Sequence, residues 1–162
     1  MGSDLLKRKN VIRVKEFLNK NDQNINLIVL DDTARTAIDA AKSLNKEVGA
    51  IVKSLSFKDS NNNFYLCLIS GDKYLSEKKL SKLISNEVIK ANAEEVKEYT
   101  GFTIGGVSPF AHLNKPKFIY VDENLDKYPM IYAAAGHPHV VFGIKFITLV
   151  ELTGGKIVNI VK

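Results

Sequence analysis

Two apolar runs lie close together in the chain and share one polar link. Val48–Leu55 and Phe64–Ser70 are separated by Ser56–Asn63, whose tip reads Asp-Ser-Asn-Asn-Asn. Short polar side chains at a tip hydrogen-bond their own backbone and turn the chain back on itself, so the two runs are expected to pair as an antiparallel hairpin. Ile51, Val52 and Leu55 make the first strand largely buried, and Gly71-Asp72 ends the second. Any fold for this chain has to be assembled around that hairpin.

The flanking segments supply the assembly. Val11, Val14, Phe17 and Leu18 recur at helical spacing, which predicts a basic N-terminal helix over about residues 8–20. Ile25–Leu30 reads as a strand. Asp31-Asp32-Thr33 reads as the N-cap of a helix through Ala34, Ala37, Ile38, Ala41 and Leu44, whose alanines let it lie close to a sheet. Ser76–Ile84 predicts a lysine-rich helix. Asn92 and Glu95 have capping-box spacing, and Gly101 is placed to end the helix they open. Lys117–Val121, Met130–Ala135, Val140–Phe142 and Lys156–Val161 read as strands, with a turn at Gly136-His137-Pro138-His139 and a helix over Phe146–Leu152. Hairpins outnumber βαβ units. The expected fold is therefore α+β, a single domain over 1–162 with a bent mixed sheet flanked by helices.

Composition limits the function classes. At 162 residues and 45% hydrophobic, the chain is long enough for one core and lacks the ~20-residue apolar run of a membrane span. Cys67 is the lone cysteine, which excludes an intrachain disulfide, and no secretory signal pattern follows Met1; a cytoplasmic location is expected. The net charge of +5 is concentrated. Residues 1–20 carry six basic side chains against two acidic ones, and Lys73, Lys78, Lys79, Lys82 and Lys90 form a second cluster. Such patches suit contact with a polyanion such as RNA, and equally describe a solvated lysine-rich surface.

Four places carry candidate chemistry. Lys53 stands in the apolar setting Ile51-Val52-Lys53-Ser54-Leu55, where a lysine must snorkel, pair or face a cavity; an edge strand with Lys53 in water fits the spacing as well. Gly105-Gly106-Val107-Ser108-Pro109 allows close backbone approach to a ligand oxygen, or is a plain tight turn. His137 and His139, with His112 and Cys67, are too few and too scattered for a zinc site, so no metal is expected. Asp72 and Asp122 at strand ends can orient a lysine or water, or act as caps. No nucleophile elbow and no phosphate loop is present.

In order along the chain, Thr33-Ala34, Ile51-Val52-Lys53-Ser54-Leu55, Gly71-Asp72, Thr100-Gly101-Phe102 through Gly105-Gly106-Val107-Ser108-Pro109-Phe110, Ala134-Ala135-Gly136 and Glu151-Leu152-Thr153-Gly154 resemble the YbaK/prolyl-tRNA-synthetase-associated domain family. The resemblance implies a partly barrel-like sheet and an aminoacyl-tRNA deacylase that removes a mischarged small amino acid, with tRNA-Pro as one candidate. It implies Lys53, Gly105 and Gly106 as catalytic residues. Ser54, Asp72, Val107, Ser108, Pro109, Ala134, Ala135, Gly136 and His137 are then expected at the substrate. The implied partners are the tRNA acceptor end and a synthetase, with no cofactor, metal or membrane. Ala111-His112 follows the Pro-Phe pair where many relatives carry glycine. A non-catalytic module that captures tRNA ends or a synthetase, and a hydrolase of a different small ester or amide, are the rival expectations.

Overall fold

A computed structural model describes residues 2–21, 24–31 and 36–162. A short helix α1 (Gly2–Leu5) and helix α2 (Lys9–Lys20) precede β1 (Leu27–Val29) and α3 (Ala37–Leu44). After a 3-10 turn over Val48–Ala50 come β2 (Val52–Asp59) and β3 (Phe64–Ser70), then α4 (Glu77–Ile84), β4 (Val88–Lys90) and α5 (Ala93–Thr100). A long loop reaches β5 (Phe118–Asp122) and a second 3-10 turn, Glu123–Lys127. The chain closes with β6 (Ile131–His137), β7 (Val140–Ile144), α6 (Phe146–Thr153) and β8 (Lys156–Val158).

The hairpin forms as expected, with Val52 opposite Ser70 and Lys58 opposite Phe64. It is the centre of a five-stranded mixed sheet in the order β4-β2-β3-β5-β8. A three-stranded antiparallel sheet, β1-β7-β6, lies beside it and meets it through one parallel bridge, Ile51 to Tyr132. The α+β architecture holds, and the bend in the sheet is a junction between two sheets. β3 is buried on both faces. Leu66 and Leu68 point into the main core with Val14 and Leu18 of α2, Val121, Ala133, Phe142 and Ile144. Tyr65, Cys67 and Ile69 point the other way, under Leu80 of α4 and Ile160. That double covering explains why the run shows no apolar–polar alternation.

Several boundaries differ from expectation for identifiable reasons. Val48–Ala50 is a 3-10 turn, and the Tyr128 ring lies on its Gly49, so close that a Cβ there would sit 1.9 Å from the phenol oxygen. β2 continues through Ser56–Asp59, residues expected in the link, because it pairs with β4 on its other edge, Phe57 opposite Lys90 and Asp59 opposite Val88. The buried Asp59 carboxylate is satisfied there. It accepts hydrogen bonds from the Asn61 and Asn63 backbone, the Asn63 amide and the Tyr65 hydroxyl, which together hold its pKa down at about 2. β4, three residues long with two of them exposed, has no sequence signature. The cap of α3 is Thr36, whose hydroxyl accepts from the Asp39 N–H at 3.2 Å. The expected cap and helix start at Asp32, Thr33 and Ala34 lie outside the described residues. The Asn92–Glu95 capping box and the left-handed Gly101 are both present.

Helix α2 packs Val11, Val14 and Leu18 inward, as its spacing requires. Arg13, one of the basic residues of this helix, faces the protein. Its Nε donates to the Ala111 carbonyl at 2.8 Å and its guanidinium lies 4.3 Å over the Phe102 ring. The N-terminus of α2 abuts β6 at Gly136. The Gly136 φ is +89°, and a Cβ there would sit 2.7 Å from the Asn10 backbone. Both a left-handed conformation and a backbone clash oppose any side chain. Gly136→Ala should therefore lose at least about 2 kcal/mol of stability, measurable as a lower denaturant midpoint; an unchanged midpoint would mean that α2 moves away freely.

Candidate active site

Where the two sheets meet, a recess of about 240 Å³ opens. β2 supplies Val52, Lys53, Ser54 and Leu55; α3 supplies Ala37 and Ala40, with Thr36 at its cap; β6 and β7 supply Tyr132, Ala134 and Val141. Ile104, Gly105 and Val107 of the long loop and Pro138 of the β6–β7 turn complete the wall. Ala134 and Val141 are opposite one another in register, so the floor is an antiparallel pair of one small and one branched residue.

Lys53 faces this recess. Its ammonium donates to the Lys73 carbonyl at 2.5 Å and lies 4.9 Å over the Tyr74 ring. Burial pulls its pKa down, Asp72 nearby pushes it back up, and the charge of Lys90 lowers it again. One carbonyl and one ring leave further N–H donors on the ammonium for a ligand oxygen. Ser54 contributes a buried hydroxyl with no hydrogen-bond partner among the described residues.

The diglycine loop reaches the same recess through a tight turn. The Gly106 N–H donates to the Thr103 carbonyl at 2.9 Å, and Gly105, at the third position of that turn, has φ +90°. That position demands positive φ in a type II turn, which accounts for the glycine. Gly105 lies on Pro138. Gly106 is needed for another reason: a Cβ would stand 3.0 Å from the His137 backbone. Its N–H is committed to the turn, so of the two glycines Gly105 faces the recess and Gly106 seats the loop against β6.

Lys53, Ser54, Gly105, Val107 and Ala134 are thus brought together. The other expected residues support them from behind or stand apart. Ser108 is fully buried, and its carbonyl receives the His112 Nε2–H at 2.6 Å. Pro109 turns toward a different groove, with Phe17, Phe110 and His112. Ala135 is in the core and Gly136 faces α2. His137 lies beside the wall with its Nδ1 accepting from the His139 N–H at 3.0 Å, a bond that ties the turn. Asp72 is exposed and accepts from the Ser70 hydroxyl at 3.0 Å, close enough to act on Lys53 by its charge alone. Asp122 caps the turn at Asn124 and accepts from the Ser70 N–H. Among the described residues, no three His, Cys, Asp or Glu side chains gather to hold a metal ion, and no helix is long and apolar enough to cross a membrane.

Sequence reasoning missed Thr36, Tyr132, Pro138 and Val141, which belong to separate elements and meet only through strand pairing. Ala37 and Ala40 carried a signal, since alanines at i and i+3 on one helix face mark a close approach.

Comparisons with known proteins give the family. A model of the aminoacyl-tRNA editing domain matches residues 31–152, and the chain belongs to that family. It is similar to a solved structure described as "a putative trans-editing enzyme for prolyl tRNA synthetase", with 35% identity, a TM-score of 0.91, and 96% of this chain covering 98% of that one. It is also similar to the Enterococcus faecalis "Putative Cys-tRNA(Pro)/Cys-tRNA(Cys) deacylase EbsC", at 27% identity over 77% of this chain and 76% of that protein. The proline–tRNA ligase of Thermosipho africanus is 35% identical over half of this chain, which spans only 14% of the ligase.

The loop that carries Gly105 is anchored by a buried imidazole. Burial, with Arg13 nearby, pushes the His112 pKa down to about 4 against the opposing bond to Ser108. The neutral ring is the folded form. A depressed pKa contributes stability that is complete above the unfolded value, about 6.5, and is lost as pH falls toward 4. His137, also pulled down by burial, acts in the same direction. His112→Gln should therefore flatten the fall in melting temperature between pH 6.5 and 4 without abolishing it. Parallel wild-type and variant curves would show that His112 titrates freely.

Proposed function

We propose that the recess hydrolyses the ester joining a small amino acid to the terminal adenosine of a mischarged tRNA, acting in trans to a synthetase such as the prolyl enzyme. The observation that carries the reading is that Lys53, Ser54 and Gly105 line one apolar recess. An activated ester needs a fixed position, a water and a place for developing negative charge. Water adds to the ester carbonyl carbon, and the carbonyl oxygen gains charge beside the Lys53 ammonium. The tetrahedral species collapses with cleavage of the bond to the ribose oxygen. That oxygen leaves with the proton given up by the water, so free amino acid and a tRNA with both ribose hydroxyls result. The adjacent ribose hydroxyl of the substrate relays this proton, since the recess offers no carboxylate or imidazole among its described lining residues.

Selectivity follows from size. Ala37, Ala40 and Ala134 leave room for a short side chain, and Tyr132 and Val141 close the wall behind it. A methylene discriminates by only ~1–3 kcal/mol, so exclusion by walls is the effective device. The name of one relative carries cysteinyl-tRNA, and alanine and serine have side chains of similar size, so these three are the acyl groups to examine. This reading places the protein with charged tRNA in the cytoplasm.

The deciding experiment measures amino-acid release from alanyl-, seryl- and cysteinyl-tRNA. Lys53→Ala should cut kcat/KM by about 100-fold or more, as removal of a group facing the developing oxyanion does, while the fold is retained; equal turnover would remove Lys53 from the chemistry. Ala134→Leu fills the recess and should abolish release of all three amino acids while leaving binding of uncharged acceptor stem intact. A wild-type protein that binds acceptor stem and releases nothing would be a capture module.

A further inference from the structure

In the deacylase reading the acyl group and its ester occupy the recess, which leaves the terminal nucleoside to be held at its mouth. Immediately outside, on the Lys53 side, stands Tyr74. It is 73% exposed, the most exposed of the large hydrophobic side chains among the described residues.

Tyr74 is nonetheless held. Its carbonyl accepts from the Lys162 N–H at 2.9 Å, and the neighbouring Leu75 bridges to Val161. The preceding carbonyl, of Lys73, is the one that receives the Lys53 ammonium. That same ammonium lies over the ring at 4.9 Å. One ring face is thus engaged by the lysine of the site, and the exposure of the residue leaves surface for a second flat group. Base-on-aromatic stacking needs such a preorganised ring. A cation on the ring marks which side the ester and ribose approach from, because Lys53 faces both the recess and Tyr74.

Resting on the deacylase reading above, we propose that Tyr74 is a stacking platform for the nucleobase of the terminal nucleoside of the charged tRNA. Base, ribose and ester then run in order from Tyr74 past Lys53 into the recess. Tyr74 positions the substrate and takes no part in bond breaking.

Two measurements test this. In the first, adenosine 5′-monophosphate and ribose 5-phosphate are titrated separately into protein with labelled tyrosine rings. The nucleotide should move the Tyr74 ring resonances upfield, and the base-free sugar phosphate should not. In the second, alanyl, seryl and cysteinyl acceptor-stem minihelices are hydrolysed by Tyr74→Ala, Tyr74→Phe and Tyr74→Trp. Tyr74→Ala should raise KM about five- to hundredfold with kcat nearly unchanged, and the two aromatic variants should stay close to wild type. The proposal is overturned if the nucleotide leaves Tyr74 unmoved or if Tyr74→Ala leaves KM unchanged. It is equally overturned if the loss is confined to kcat, since Tyr74 would then only place Lys53. If the wild-type protein releases no amino acid from any minihelix, the deacylase reading fails, and the nucleotide titration still decides whether Tyr74 stacks a base.

Discussion

The two sheets touch where β2 begins, through the bridge between Ile51 and Tyr132, and the space beside that bridge is the recess. Strands of separate twisted sheets diverge from a point of contact. Side chains near such a point cannot interdigitate as they do within one sheet. Elsewhere the gap is filled by Leu66, Phe142, Ile144 and the residues of α2. Beside the bridge α3 presents the small side chains of Ala37 and Ala40. Larger residues there would complete the core and remove the hollow.

Everything that shapes the recess is held from outside it. The turn bearing Gly105 is closed by the Gly106–Thr103 hydrogen bond and lies against the β6–β7 turn. Behind it, His112 binds the Ser108 carbonyl and Arg13 binds the carbonyls of Thr100 and Ala111. Ala111 itself has φ +62°, a conformation that costs an alanine about 1 kcal/mol or more relative to glycine. The Arg13 bond to its carbonyl helps to hold that strained position. Lys53 is restrained in the same manner, by a backbone carbonyl and a ring. A site that positions an ester gains from lining groups whose own partners are fixed before the substrate arrives.

Local chemistry was readable wherever one short segment specifies it. The Asn-rich hairpin tip, the Asn92–Glu95 capping box and the left-handed Gly101 follow from neighbouring residues alone. A lysine among apolar residues marked Lys53, and two glycines before a proline marked the loop. Within that loop the roles were not readable. Gly106, Ser108 and Pro109 share its pattern with Gly105, yet one seats the loop, one holds a histidine and one faces another groove. The apolar run Val48–Leu55 concealed a turn, and the ring packed on that turn at Gly49 is Tyr128, almost eighty residues away.

Residue order alone determined the hairpin, the helix caps, the α+β class and the presence of an isolated cation in an apolar strand, because each depends on interactions within a few residues. Which of the loop residues meets Lys53, and that Ala134 and Val141 form the floor beneath it, was decided by the pairing of β6 with β7 and the junction of the two sheets. The junction joins residues about eighty apart in the chain, and register across such distances is set by packing that no single segment encodes.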